Sequence, residues 1–142
     1  MEIEGRALTP KELGAFGERL AARYLSRGGF RILYRNFRPN RRSEIDLVCR
    51  EGESLVFVEV KTRRPGRPGR PADAVDWAKR KRILRGVREW LRLLEFPGIP
   101  VRCDIVEVEL ETGRRPRICR VENAIPLSAS WRFGGRGRVR RD

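Results

Sequence analysis

An α/β layer built on a mixed β-sheet is the fold class this sequence predicts, on three observations. Residues 43–62 form an apolar hairpin, helical patterns flank it on both sides, and two further strand patterns close the chain. The order is helix, three strands, helix, two strands, so the second helix must carry the chain back to the sheet edge. No internal repeat is present. The 142 residues suffice for one domain with a buried core, expected over residues 1–130.

Thr9 is placed to cap the first helix, with Pro10 at its first position and Glu12 at its third, a capping-box arrangement. Leu13, Phe16, Leu20 and Tyr24 recur at helical spacing and mark its expected buried stripe, with Arg19, Arg23 and Arg27 opposite. Gly14, Gly17 and Ala21 are small enough to let this helix lie close to the sheet, and Gly28-Gly29 ends it. Residues 30–37 read as a strand and 39–42 as a polar turn.

The hairpin follows. A turn centred on Gly52-Glu53 sets Asp46 opposite Glu59 and Glu44 opposite Lys61. Directly opposed residues share a face with β-carbons about 5 Å apart. Acids and a lysine therefore gather among Val, Ile and Phe, which costs free energy unless they are paired or bound to metal. That cost marks the cluster as functional.

Residues 63–71 are rich in Arg, Pro and Gly and are expected to form a mobile loop. A second helix is expected over about residues 73–95, with Ile83, Val87, Trp90, Leu91 and Leu94 on its apolar side. Residues 101–110 and 117–122 read as the last strands, and residues 131–142 as a basic, disordered tail.

The formal charge of +14 comes almost entirely from arginine; the lysines are Lys11, Lys61, Lys79 and Lys81. Such an excess favours a polyanionic partner, because phosphates exchange condensed counterions for basic side chains. The alternative is an arginine-rich composition without a ligand, which the lack of Gln and His also fits. Without histidine, a Ser-His-Asp triad, a His-Cys dyad and His-metal nuclease motifs are excluded. Cys49, Cys103 and Cys119 have no metal-site spacing, and the first two are expected as buried free thiols. No apolar run approaches the ~20 residues a membrane span needs, and the N-terminus lacks signal-peptide character, so a cytoplasmic protein with no membrane partner is expected.

On the helical wheel Glu18 sits at the rim of the first helix's apolar arc. It would either reach the acidic face of the hairpin or remain a solvated carboxylate.

Four segments together carry a resemblance. Gly14-Ala15-Phe16-Gly17-Glu18, Arg35-Asn36-Phe37-Arg38, Glu44-Ile45-Asp46-Leu47 and Phe57-Val58-Glu59-Val60-Lys61-Thr62-Arg63 resemble the YraN family of small bacterial proteins. That family in turn resembles Holliday-junction resolvases and other nucleases of the PD-(D/E)XK superfamily. The resemblance implies a restriction-endonuclease-like mixed sheet flanked by helices. It also implies a metal-dependent endonuclease acting on DNA, branched or single-stranded forms included. Carried onto this chain, Asp46 and Glu59 would ligate Mg²⁺ or Mn²⁺ with help from the Val60 carbonyl. Lys61 would position or activate the attacking water, and Glu18 would complete the metal or water network. Hard oxygen donors with open positions suit those cations. Resolvases cut two strands, so a homodimer is implied as well. The chain departs from the family pattern at Ser43, where glycine is usual, and at Arg80, where glutamine is common.

The remaining basic clusters read as contacts for a nucleic-acid backbone. Arg63, Arg64, Arg67 and Arg70 belong to the Arg-Pro-Gly loop. Lys79, Arg80, Lys81, Arg85 and Arg88 belong to the second helix, where Lys81, Arg85, Arg88 and Arg92 share a stripe expected to carry no neutralising acid at i±4. Arg80 points toward the sheet on the wheel, either to bind a phosphate or to snorkel past the apolar face. The competing reading from another class is a nucleic-acid-binding protein of the same fold that cleaves nothing.

Overall fold

The chain enters its core through α1 (Pro10–Arg27), and the cap expected there is in place. The computed structural model describes residues 2–3, 6–65 and 77–127. The Thr9 hydroxyl accepts the Glu12 N–H at 3.2 Å, and the Glu12 carboxylate accepts the Thr9 N–H at 3.2 Å. Each bond satisfies a helix-start donor that has no partner inside the helix. Before it, β1 (Glu2–Ile3) and β2 (Arg6–Ala7) pair as a short antiparallel ribbon that the sequence pattern did not signal.

Five strands follow: β3 (Arg31–Phe37), β4 (Ile45–Glu51), β5 (Ser54–Arg63), β6 (Val101–Glu109) and β7 (Arg117–Ile125). They lie side by side in chain order, and only β5 and β6 run parallel. That parallel pair needs a crossover, and α2 (Trp77–Leu93) lies within it. The sheet is mixed, as the order of elements predicts. The hairpin register also matches: Leu47 pairs with Val58 and Glu51 with Ser54, across a turn in which Gly52 takes φ 57°.

The helices cover opposite faces. Ala21, Ala22 and Leu25 of α1 pack on Leu47, Val56, Val58, Val106 and Val108. Ile83, Val87 and Leu91 of α2 pack on Phe57, Cys103 and Ile105. The buried side of α1 differs from the expected stripe. Gly17, Ala21, Ala22 and Leu25 are buried, whereas Tyr24 is 41% exposed and Leu13, Phe16 and Leu20 flank the contact. Small residues face the sheet because they let the helix axis come closer, leaving the long side chains at the rim. Leu94, expected on the apolar side of the second helix, falls just beyond the end of α2 and is exposed, and Trp90 is part of an edge-to-face cluster with Tyr34 and Phe37. β7 extends to Ile125, three residues beyond the expected end, through a register shift opposite Cys103 and Ile105.

One charged group is fully buried away from the helices' contacts. Asp104 accepts bonds from Arg102, Arg120 and the Asn123 N–H, so its charge is offset where it sits. Cys49 and Cys103 are buried free thiols, as expected, and Cys119 is exposed. Among the described residues, no helix is long and apolar enough to cross a membrane. The basic tail and Trp131 lie outside the described residues.

Two glycines fix how near the helices lie. A β-carbon on Gly17 would fall 1.8 Å from the Thr62 hydroxyl, and one on Gly86 would fall 2.7 Å from Ile45. Gly17→Ala should therefore destabilise the protein by about 1–3 kcal/mol, read as a lower urea midpoint. Gly14→Ala, which meets nothing within 4 Å, should leave the midpoint unchanged or raise it. Equal midpoints for the two variants would contradict this close-packed contact.

Candidate active site

β4 and β5 part company at one end, and the site lies in the opening. Their pairing runs from Glu51–Ser54 to Leu47–Val58 and then stops. β5 continues beside β6 to Arg63, while Ile45 of β4 pairs with Phe37 of β3. Asp46 bridges the split: its Oδ2 accepts the Val60 N–H at 2.8 Å. A side-chain oxygen takes the donor that a strand partner would otherwise have used. On the α2 side, the Glu44 N–H donates to the Arg82 carbonyl at 3.2 Å, which anchors the segment entering β4.

A cavity of 420 Å³ fills this fork and gathers the residues that the sequence singled out. Glu18, Asp46, Glu59, Val60 and Lys61 all line it. Glu18 of α1 therefore reaches the hairpin's acidic face, the first of its two alternatives. Asp46 and Glu59 are both 4% exposed. Burial pushes the Asp46 carboxyl above the usual carboxylate range. It pushes Glu59 up to about 9, with the nearby Asp46 charge adding to the effect. Glu18 is also raised, first by burial and then by Asp46, while Arg38 and a hydrogen bond with Asn36 oppose the shift.

Lys79 is the residue whose place the sequence did not reveal. Its expected place is only among the nucleic-acid contacts of the second helix, yet it lines the cavity with Nζ 3.2 Å from Glu59 and 3.1 Å from Glu44. Burial lowers its pKa and the acids raise it, and the acids prevail. Glu44 is further held by Arg38 at 3.1 Å and Arg82 at 3.3 Å. Burial raises the Glu44 pKa, but Lys79, Arg38 and Arg82 together bring it below the ordinary value. Glu44 thus serves as the anchor of a cationic rim. Asn36 and Arg38 belong to the same surroundings: with Lys11, Gly14 and Glu18 they line an adjoining cavity of 440 Å³. The signal for them was the Arg35–Arg38 motif, which carried no role at the level of sequence.

The donors present fit a hard divalent cation. Glu59 Oε2 is buried with no N–H donor on it and only the Asp46 carboxyl to share a proton with, an arrangement that a cation would satisfy. Among the described residues, no three His, Cys, Asp or Glu side chains converge to enclose a metal. The available set is therefore two carboxylates and main-chain oxygen, with positions left for water and substrate. Mg²⁺ and Mn²⁺ accept such sets.

The expected nucleic-acid contacts divide. Arg64, Lys81, Arg85 and Arg88 are exposed. Their stripe is not free of acids as expected: Glu89, four residues after Arg85, sits among them and pairs with Arg92 at 3.7 Å. Arg63 turns inward to pair with the buried Glu107. Arg80 is half-buried and is not among the residues lining the fork cavity; its guanidinium lies 5.8 Å from the Trp77 ring centroid. Arg67 and Arg70 lie outside the described residues.

Comparison with known sequences agrees with the motif resemblance. The profile described as Uncharacterised protein family UPF0102, the YraN family, matches residues 17–108, which contain every acid and lysine of the fork. The chain is similar to a UPF0102 protein of Rhodococcus opacus, 47% identical over 112 residues that cover 79% of this chain and 94% of that one. It is 44% identical to a UPF0102 protein of Chlorobaculum tepidum over 128 residues, 90% of this chain and 98% of the relative. A UPF0102 protein of Symbiobacterium thermophilum is 44% identical over 114 residues, 80% and 96% of the two chains.

The buried acids make stability depend on pH with a definite sign. Glu59 titrates at about 9 in the folded protein against 4.5 ordinarily, so the folded state holds a proton that the unfolded chain releases. Its stabilising contribution is full below 4.5 and is lost as pH rises through 9. Metal-free protein should therefore lose melting temperature across that window, and Glu59→Gln should flatten the decline. The decline should not vanish, because Asp46, Glu18 and Glu107 shift in the same direction. Lys79→Met, which strips Glu59 of its cation, should steepen it. Identical pH profiles for the three proteins would contradict the assignment.

Proposed function

The chain belongs to the UPF0102 family, and we propose that it is a divalent-metal-dependent endonuclease hydrolysing phosphodiester bonds of DNA, branched or single-stranded forms included. The observation that carries this reading is the fork itself: Asp46 and Glu59 buried side by side, one Glu59 oxygen with no N–H donor on it, and Lys61 on the same cavity wall. A protein that only binds DNA gains nothing from acids placed where they repel phosphate.

When bound, Mg²⁺ or Mn²⁺ supplies Lewis-acid polarisation of the phosphodiester and a more acidic water. Asp46, fixed by the Val60 N–H, and Glu59 would hold the cation, with the Val60 carbonyl assisting. Lys61 presents three donors and a positive charge to the water or the scissile phosphate. Glu18, on the wall of the same cavity, would complete the metal or water network. Lys79, Arg38 and Arg82 place positive charge around the mouth, where a developing phosphoryl charge is stabilised. Cutting both strands of a junction takes two such pockets, so a homodimer is part of this reading.

A second reading draws on Lys79. Its ion pairs with Glu59 and Glu44 already supply the acids with a cation, as a metal-free binding protein would need. The two readings separate on incubation with branched and single-stranded DNA in Mg²⁺ or Mn²⁺. Wild type should cut, Asp46→Asn should abolish cutting while retaining DNA binding, and Lys61→Ala should slow it by about 10²–10⁴-fold. Binding without cleavage across substrates and both metals would hand the assignment to the second reading.

A further inference from the structure

Ser43 and Glu44 are neighbours in the chain, yet they line different cavities. Glu44 faces the fork, and Ser43 faces a second concavity of 440 Å³ between the β3–β4 turn and α2. The turn contributes Arg41 and Arg42 to its wall; α2 contributes Arg85, Arg88 and Arg92. Its one acid is Glu89, 3.7 Å from Arg92. Among the described residues, Arg41, Arg42, Arg85 and Arg88 enter no ion pair.

This wall is braced. The Arg42 N–H donates to the Asn40 side-chain oxygen at 2.8 Å, and the Ser43 N–H donates to the Asn40 carbonyl at 3.4 Å. Ser43 is 2% exposed, and the Glu44 N–H bond to Arg82 ties the end of the turn to α2. Arginines from two elements thus line one hollow, on a turn whose backbone is fixed, with Glu89 as the acid among them. Their mutual repulsion is relieved by an anion, and their planar forks suit phosphate oxygens.

We propose that this hollow is a phosphate subsite for the same DNA strand that enters the fork, so that the strand is held at two points. The inference rests on the nuclease reading for the identity of the strand and on the arginine hollow for the subsite. Arg85 and Arg88 lie six and nine residues beyond Lys79 on α2, which is about 9 and 14 Å at about 1.5 Å per residue. Those are axial rises; at about 3.6 residues per turn Arg88 also lies half a turn round the helix from Lys79. A strand joining the two cavities passes round α2 and needs at least about four nucleotide steps of about 3.4 Å. Arg82 lies between them on the helix and holds Glu44, so a basic line joins the two cavities. A substrate therefore has to extend several nucleotides past the scissile bond on the α2 side. A single nucleotide or a very short oligonucleotide would fill only the fork.

The test uses Asp46→Asn protein, which separates binding from cleavage, and fluorescence anisotropy with labelled single-stranded DNA of about 4 and about 12 nucleotides over a salt series. Two variant pairs are built in that background, Arg85→Gln with Arg88→Gln and Arg41→Gln with Arg42→Gln. Because the pairs lie on different elements, misfolding of one, seen in its thermal melt, leaves the other to decide. Each pair should lower the salt slope for the longer DNA by about 1.4, about 0.7 for each lost contact on a single strand. The shorter DNA should change little, and Mn²⁺ affinity in otherwise wild-type protein should not change. Unaltered slopes for the longer DNA in a folded pair would overturn the subsite. So would displacement of DNA by polyglutamate as readily as by inorganic polyphosphate of matched charge, since that marks a general polyanion site. A protein that cuts no DNA yet loses slope in both pairs would sink the nuclease reading and keep the subsite; cutting with unchanged slopes would do the reverse.

Discussion

A single hydrogen bond between a side chain and the backbone organises the functional end of this protein. Where β4 and β5 separate, the Val60 N–H would lose its partner, and Asp46 Oδ2 takes that place at 2.8 Å. The bond serves two purposes. It ends the ladder without leaving a buried donor unsatisfied, and it fixes a carboxylate beside Glu59 at the base of a cavity. The fork is thus the feature that turns an ordinary mixed sheet into a site. Every other contact there either holds the fork open or offsets the charge within it.

Holding it open is the task of the two helices. Gly17 brings α1 against Thr62 on β5, and Gly86 brings α2 against Ile45 on β4, so one helix braces each arm. Offsetting the charge falls to Lys79, Arg38 and Arg82, which converge on Glu44, with Lys79 also reaching Glu59. Glu44 loses its freedom to act as a ligand through this pairing and becomes the post to which the basic rim is tied. Glu59 pairs with Lys79, and Asp46 accepts the Val60 N–H. The division of labour among three acids follows from how many cations reach each one, since a carboxylate already in several ion pairs gains less from a metal.

Much of this was legible in the sequence because it depends on local geometry. The two-residue turn at Gly52-Glu53 and the alternation of faces place Asp46 beside Glu59 before any tertiary contact is considered. The capping box at Thr9 was equally local. What could not be read depends on how far each helix is rotated and how near it sits. The face of α1 turned out to be set by Gly17, Ala21 and Ala22 and not by the larger Leu13, Phe16 and Tyr24. Lys79 looked like one more nucleic-acid contact of the second helix, because nothing local says that the start of α2 overhangs the fork. Arg41 and Arg42 are far from Arg85 and Arg88 in the chain, so their shared hollow exists only in the folded molecule.

The most direct test of this account is an anomalous-scattering map from crystals soaked in Mn²⁺. The account predicts a peak between the carboxylates of Asp46 and Glu59, within reach of Glu59 Oε2. No peak there, or one bound elsewhere while the two carboxylates stand apart, would contradict it.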